Sequence, residues 1–181
     1  MTIYTAQPSP QIEVLAAARE HESILANLLE LYVHDFSEFL DVELGPDGRF
    51  GYPQLSLHWS EPERHPFLVK VDAQWAGFAF VKRGSEVSSK EDVWDMAEFF
   101  VLRGYRRRGI GTQIAHDVWR RFPGLWEVRV MEANVVAREF WGRAIAAFVG
   151  EEICPVHFEK GREWWFVFSF QSTGTGRVDM V

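Results

Sequence analysis

Two kinds of chemistry meet in one short part of this chain. Glu98 sits inside the run Asp95-Met96-Ala97-Glu98-Phe99-Phe100-Val101, and the cationic stretch Arg106-Arg107-Arg108-Gly109-Ile110-Gly111 follows it closely. A carboxylate carried on a strand is a candidate general base, since proton transfer needs a group placed within hydrogen-bond reach of its substrate. The second stretch is a candidate anion site. Gly109 and Gly111 let the backbone approach a ligand, the first amides of a following helix donate hydrogen bonds, and the helix end carries roughly half a positive charge. Arg106, Arg107 and Arg108 add full charges. The natural occupant of such a loop is a pyrophosphate.

The elements that must hold these groups follow from pattern. Residues 93–101 are apolar, aromatic and β-branched, which reads as a buried strand, and the chain turns at Gly104. From Ile110 the apolar residues Ile114, Ala115, Val118, Trp119 and Phe122 recur at helical spacing. The loop therefore leads straight into an amphipathic helix whose free amides point back at the glycines.

The loop lacks the Lys-Ser/Thr ending of a nucleoside-triphosphate loop and does not read Gly-x-Gly-x-x-Gly. It resembles the acetyl-CoA signature Gln/Arg-x-x-Gly-x-Gly/Ala of the GNAT superfamily of N-acetyltransferases, matched by Arg106, Gly109 and Gly111. Further on, Asn134-x-x-Ala137-x-x-Phe140-Trp141 resembles the family's second CoA-contacting segment. The two segments and the strand before them span roughly the central third of the chain. The resemblance implies an α/β GNAT fold: a mixed, mostly antiparallel central sheet with a splayed parallel strand pair and helices on both faces. It implies acetyl-CoA as cosubstrate, no metal, and direct attack by an acceptor amine of a small molecule. Cofactor binding then falls to Phe99, Phe100, Val101, Arg106, Arg107, Arg108, Gly109, Ile110, Gly111, Thr112, Asn134, Ala137, Phe140 and Trp141. Backbone amides near Phe99, Phe100 and Val101 would hold the pantetheine arm and polarise the thioester carbonyl.

Acetyl transfer needs a neutral amine. An alkyl ammonium of pKa about 10.4 loses its proton at pH 7 at a cost of roughly 4–5 kcal/mol, so a base is useful. Glu98 is the first candidate, and the alternative is a strand carboxylate satisfied by an arginine or a backbone amide. Some polyamine-acetylating relatives look like Glu-Asp-Phe-Phe-Val here, and the position of their proposed base falls on Ala97. A second departure is Trp141, where relatives often carry a tyrosine that protonates departing CoA. A thiol of pKa near 8.5 still leaves tolerably as thiolate, and Tyr105, Tyr32 or water are substitutes that spacing does not separate. Asn134 reads as a helix N-cap and, by resemblance, as a partner of the pantetheine amide. Arg107 stands where a glycine is common. His34, Asp35 and Ser37 form a polar cluster that could orient an amine, or simply end a helix in solvent.

The chain has 181 residues, 47% hydrophobic and 25% charged, with a formal net charge of -7. That composition fits one globular domain over 1–181. The acidic balance argues against nucleic acid as a partner, because phosphate-backbone affinity needs a broad basic face. No apolar run reaches membrane-spanning length and no signal pattern opens the chain, so a cytoplasmic protein without membrane partners is expected. Cys154 is the only cysteine, and Cys154-x-x-His157 has no second pair at zinc spacing. Homodimers are common in such a fold, and so aromatic a chain allows one.

Taken in order, 1–11 is expected to be a loose arm and 12–17 a strand. A helix starts near Glu20, a second short helix spans 35–40, and 45–64 is a long loop. Strands at 66–71 and 75–82 precede a flexible hairpin loop at 83–92. After the central helix come a strand at 126–130 parallel to 93–101, a helix from Asn134 through Ile145, antiparallel strands at 153–159 and 163–170, and a loose tail over 171–181. Two other readings stay open: a non-catalytic acyl-CoA-binding or regulatory module, and an enzyme that acetylates proteins.

Overall fold

The structure is a computed structural model that describes residues 9–174. One seven-stranded sheet organises it. β1 (Ile12–Ala16), β2 (Arg64–Val71), β3 (Gln74–Arg83) and β4 (Trp94–Val101) pair antiparallel in chain order. β5 (Gly124–Met131) lies parallel to β4, and β7 (Glu163–Ser172) and β6 (Val156–Lys160) complete the order β1-β2-β3-β4-β5-β7-β6.

Helices cover both faces. α1 (Glu22–Phe36) buries Leu25, Leu28, Leu29 and Tyr32 against Leu68, Phe78, Phe80 and Phe100 of the sheet. α2 (Ile110–Arg121) and α3 (Val135–Val149) cover the opposite face, where Trp119, Trp126, Ile114, Ile145 and Phe168 share one core. α2 has apolar residues at 110, 114, 115, 118 and 119, and all five are buried. α3 runs on beyond Ile145 to Val149 and stops at Gly150, whose φ of 86° a side-chain-bearing residue would adopt only under strain.

The parallel pair is short. Only Trp94 with Trp126 and Asp95 with Glu127 are in register, after which β4 and β5 part. This is the splayed pair that the resemblance implied.

Several local expectations change. The separate helix at 35–40 is absent: α1 continues through Phe36, and the chain then turns as Ser37 donates its amide to Val33 and its hydroxyl to the His34 carbonyl. A 3₁₀ turn at Arg19–His21 precedes α1, and another at Leu55–Trp59 interrupts the long loop. The 83–92 hairpin is tied down: Ser88 Oγ (2.6 Å) and Lys90 Nζ (2.8 Å) both reach the carboxylate of fully buried Glu127. Burial works against that charge, and the donors from Lys90, Ser88 and Ser85 outweigh it, leaving the carboxyl below its usual range. β7 takes in Gln171 and Ser172, the latter bonded to the Trp119 carbonyl. The rest of the loose arm and tail lies largely outside the described residues.

Candidate active site

The site begins with an irregularity in β4. Val81 of β3 lies opposite Met96 and its neighbour Phe80 lies opposite Glu98, so Ala97 is an extra residue, a β-bulge. Met96 faces the core under α2 and α3, whereas Ala97 and Phe100 face α1. The bulge thus shifts the alternation by one and turns Glu98 to the α1 face.

There Glu98 meets two phenols. Tyr32 of α1 donates to its Oε2, and Tyr52 of the long loop donates to Oε1 at 2.9 Å. Burial and then the adjacent carboxylate push both tyrosine hydroxyls well above their usual range. Each is therefore a fixed hydrogen-bond donor, and Tyr32 is unsuited to protonate a leaving thiolate. The carboxylate satisfied by tyrosines, rather than by arginine or an amide, was not legible from spacing.

Arg129 on β5 occupies the start of the gap between the parting strands. Its Nη1 pairs with fully buried Asp95 and its Nη2 donates to the Ala97 carbonyl at 3.2 Å. Burial pushes the Asp95 carboxyl up to about 6 despite the guanidinium beside it. Neither residue was singled out from sequence, though a polar 127 and 129 alternating with apolar Trp126, Val128 and Val130 was a signal that one face of this strand is wet or charged.

Beyond this point β4 has free backbone. A Cβ on Gly77 would lie 2.1 Å from the Phe100 oxygen, so that carbonyl points at β3. In a trans peptide the next N–H points the opposite way, which aims the Val101 amide into the gap. The Leu102 amide bonds the Ala76 carbonyl of β3, so the Val101 carbonyl also faces the gap. The Phe99 amide shares that direction by strand alternation, and the Phe100 amide does not.

The glycine loop adopts left-handed backbone at Arg107 (φ 59°) and Gly109 (φ 75°), and Gly109 is the N-cap of α2. The first-turn amides of Ile110, Gly111 and Thr112 are orphan donors there. Arg107 and Arg108 are exposed, and the Ile110 side chain is wholly buried. Gly111 is small for a packing reason: a Cβ would come within 3.2 Å of the Phe140 ring, which stacks on Phe99 at 5.9 Å. Arg106 turns away from the glycines. Its Nε donates to the Val101 carbonyl and its Nη2 to Asp35, both at 2.6 Å.

Asp35 also accepts from Arg103 at 2.6 Å. Burial opposes its charge, and the two guanidiniums prevail, holding the carboxyl below the usual range. His34 stacks on Phe50 instead, and Ser37 ends the helix. The structure does not bring these three to one point. Asn134 caps α3 by accepting from the Ala137 amide at 3.0 Å. Trp141 is buried against Phe99 and Phe140, so it fills the core and has no proton to give.

A hollow of about 480 Å³ lies between α1 and residues 45–56, bounded by Glu22, Glu30, Asp47, Arg49 and Tyr52. Tyr52 is the residue that links it to Glu98. No group of three or more His, Cys, Asp or Glu among the described residues could hold a metal, and no described helix is long and apolar enough to cross a membrane.

In this fold a strand pair opens beside a helix with a glycine N-cap, and residues 25–148 match the acetyltransferase (GNAT) family. The chain belongs to that family. An acetyltransferase from Thermus thermophilus is similar in fold, with a TM-score of 0.64 at 14% identity over 88% of this chain and 96% of that one. A spermidine N-acetyltransferase from Vibrio cholerae in complex with CoA and spermine gives 0.60 at 13% identity, over 90% and 96%. The ribosomal-protein-S18-alanine N-acetyltransferase from Escherichia coli gives 0.56 at 11% identity, over 94% and 100%. No curated protein matches by sequence.

Proposed function

We propose that this protein is a cytoplasmic, acetyl-CoA-dependent N-acetyltransferase that transfers the acetyl group to an amine of a small molecule by direct attack. The observation that carries the reading is Glu98, turned to the α1 face by the bulge at Ala97, with the gap-facing Val101 amide further along the same strand. A carboxylate and an N–H donor on one strand supply the two things the reaction needs. The carboxylate takes the ammonium proton, and the amide stabilises charge on the thioester oxygen.

The pyrophosphate is assigned to the amides of Gly109, Ile110, Gly111 and Thr112 with the exposed Arg107 and Arg108 beside them. The pantetheine arm is assigned to the free edge of β4 at Phe99 and Val101, with Asn134, Ala137, Phe140 and Trp141 forming the facing wall. CoA leaves as thiolate, a departure that a thiol of pKa about 8.5 allows at neutral pH, with neither Trp141 nor Tyr32 as a proton source.

The test has two stages. Acetyl-CoA at 100 times its dissociation constant should stabilise the protein by about 2.7 kcal/mol, read as a rise in Tm. Thiol release is then followed over a panel of primary amines. Binding without release from any amine would leave a non-catalytic acyl-CoA module, and release only with peptide amines would move the acceptor class to proteins.

A further inference from the structure

Glu98 is gripped from two separate elements, and both grips trace back to α1. Tyr32 belongs to α1 itself and is locked by aromatic packing against Phe36 (4.6 Å), Phe78 (5.6 Å) and Phe100 (5.9 Å). Tyr52 comes from the long loop, and the loop is pinned just before it. The Glu30 carboxylate of α1 accepts the amides of Phe50 and Gly51, both at 2.9 Å. Glu30 and Tyr32 thus place one phenol on each oxygen of the same carboxylate.

We infer that Tyr32 and Tyr52 are positioning residues for Glu98, and that Glu30 acts one step further back by holding the segment that carries Tyr52. This rests on the reading of Glu98 as the base. With an oxygen free to rotate, a carboxylate presents its lone pairs in many directions, whereas two donors from different elements leave one orientation. In the reaction, an ammonium proton of the acceptor passes to a Glu98 oxygen. The freed nitrogen lone pair forms the C–N bond at the thioester carbonyl, and the C–S bond breaks with its electron pair on sulfur. The second amine proton and the Glu98 proton go to water. Both phenols keep their protons throughout.

The experiment uses Tyr52→Phe, Tyr32→Phe and Glu30→Gln in the full chain, with the best amine of the panel. Each is expected to lower kcat roughly 10- to 100-fold, the scale of one hydrogen bond to a charged group, with KM for acetyl-CoA unchanged. In a Glu98→Gln background the same changes should add no further loss. Wild-type kcat in both Phe variants while Glu98→Gln is slow would overturn the positioning role and leave the base intact. Full activity of Glu98→Gln would remove the base itself.

A second measurement needs no turnover. Phenolate absorbance during alkaline titration reports all four tyrosines. In the wild type, two of them should resist ionisation past about pH 10, and Glu98→Gln should lower them in part, burial still holding both above it. Four tyrosines ionising together near pH 10 in the wild type would show that neither phenol is held on Glu98 and would overturn the proposal.

Discussion

Asp95 and Glu98 emerge on the same face of β4, although three positions along a regular strand would set them on opposite faces. The bulge at Ala97 makes the difference. Deleting Ala97 would restore strict alternation and force one of two losses: Asp95 leaves Arg129, or Glu98 leaves its tyrosines. Either exposes a charge to apolar surroundings, so the deletion should cost about 3 kcal/mol or more, measured by urea denaturation, and abolish thiol release.

Asp35 ties α1 to the segment after β4 through Arg103 and Arg106. Its carboxyl lies below the usual range in the folded chain, so its contribution is complete above the unfolded value near 3.9 and is lost as pH falls through the lower folded value. Both arginines are substantially exposed, which screens the pair. Asp35→Asn should cost about 1 kcal/mol at neutral pH and flatten the acid end of a Tm against pH curve.

His58 sits on Phe80 with ring centroids 4.0 Å apart, and neither of its nitrogens has a hydrogen-bond partner among the described residues. Burial, aided by the Arg64 charge, lowers it to about 4. The unfolded chain takes up a proton near pH 6.5 and the folded chain does not until about 4, so stability falls as pH drops through that window. The loss is about 3 kcal/mol at most. His58→Leu should leave stability at pH 7 nearly unchanged and remove this slope, as measured by denaturation at a series of pH values.

The two loop glycines should respond differently to alanine. At Gly109 (φ 75°) the side chain imposes about 1–2 kcal/mol of left-handed strain on the α2 cap. At Gly111 the helix gains about 1 kcal/mol of propensity, against a 3.2 Å contact that displaces Phe140. Calorimetry should show a lower Tm for Gly109→Ala and little change for Gly111→Ala, with acetyl-CoA affinity reduced in both.

Most strands, the crossover helix and the glycine-capped turn were legible because each has a local signal: period-2 or helical spacing, and glycines at a turn. The surroundings of Glu98 were less so. Ala97 as a bulge has no glycine or proline to announce it, and Tyr52 reaches Glu98 from 46 positions away. Asp35 read as either a substrate group or a solvated helix end because its partners, Arg103 and Arg106, lie 68 and 71 residues distant and meet it only once α1 docks on the sheet. The hairpin at 83–92 read as loose because its serines are polar, yet they and Lys90 are the satisfaction that buried Glu127 requires.

The brevity of the β4–β5 contact gives one strand two unlike edges. Amides of Phe100 and Leu102 are shielded by β3, whereas those of Phe99 and Val101 have no neighbouring strand to protect them. Deuterium should therefore enter β4 in an every-other-residue pattern, and acetyl-CoA should erase that pattern by slowing the fast pair alone.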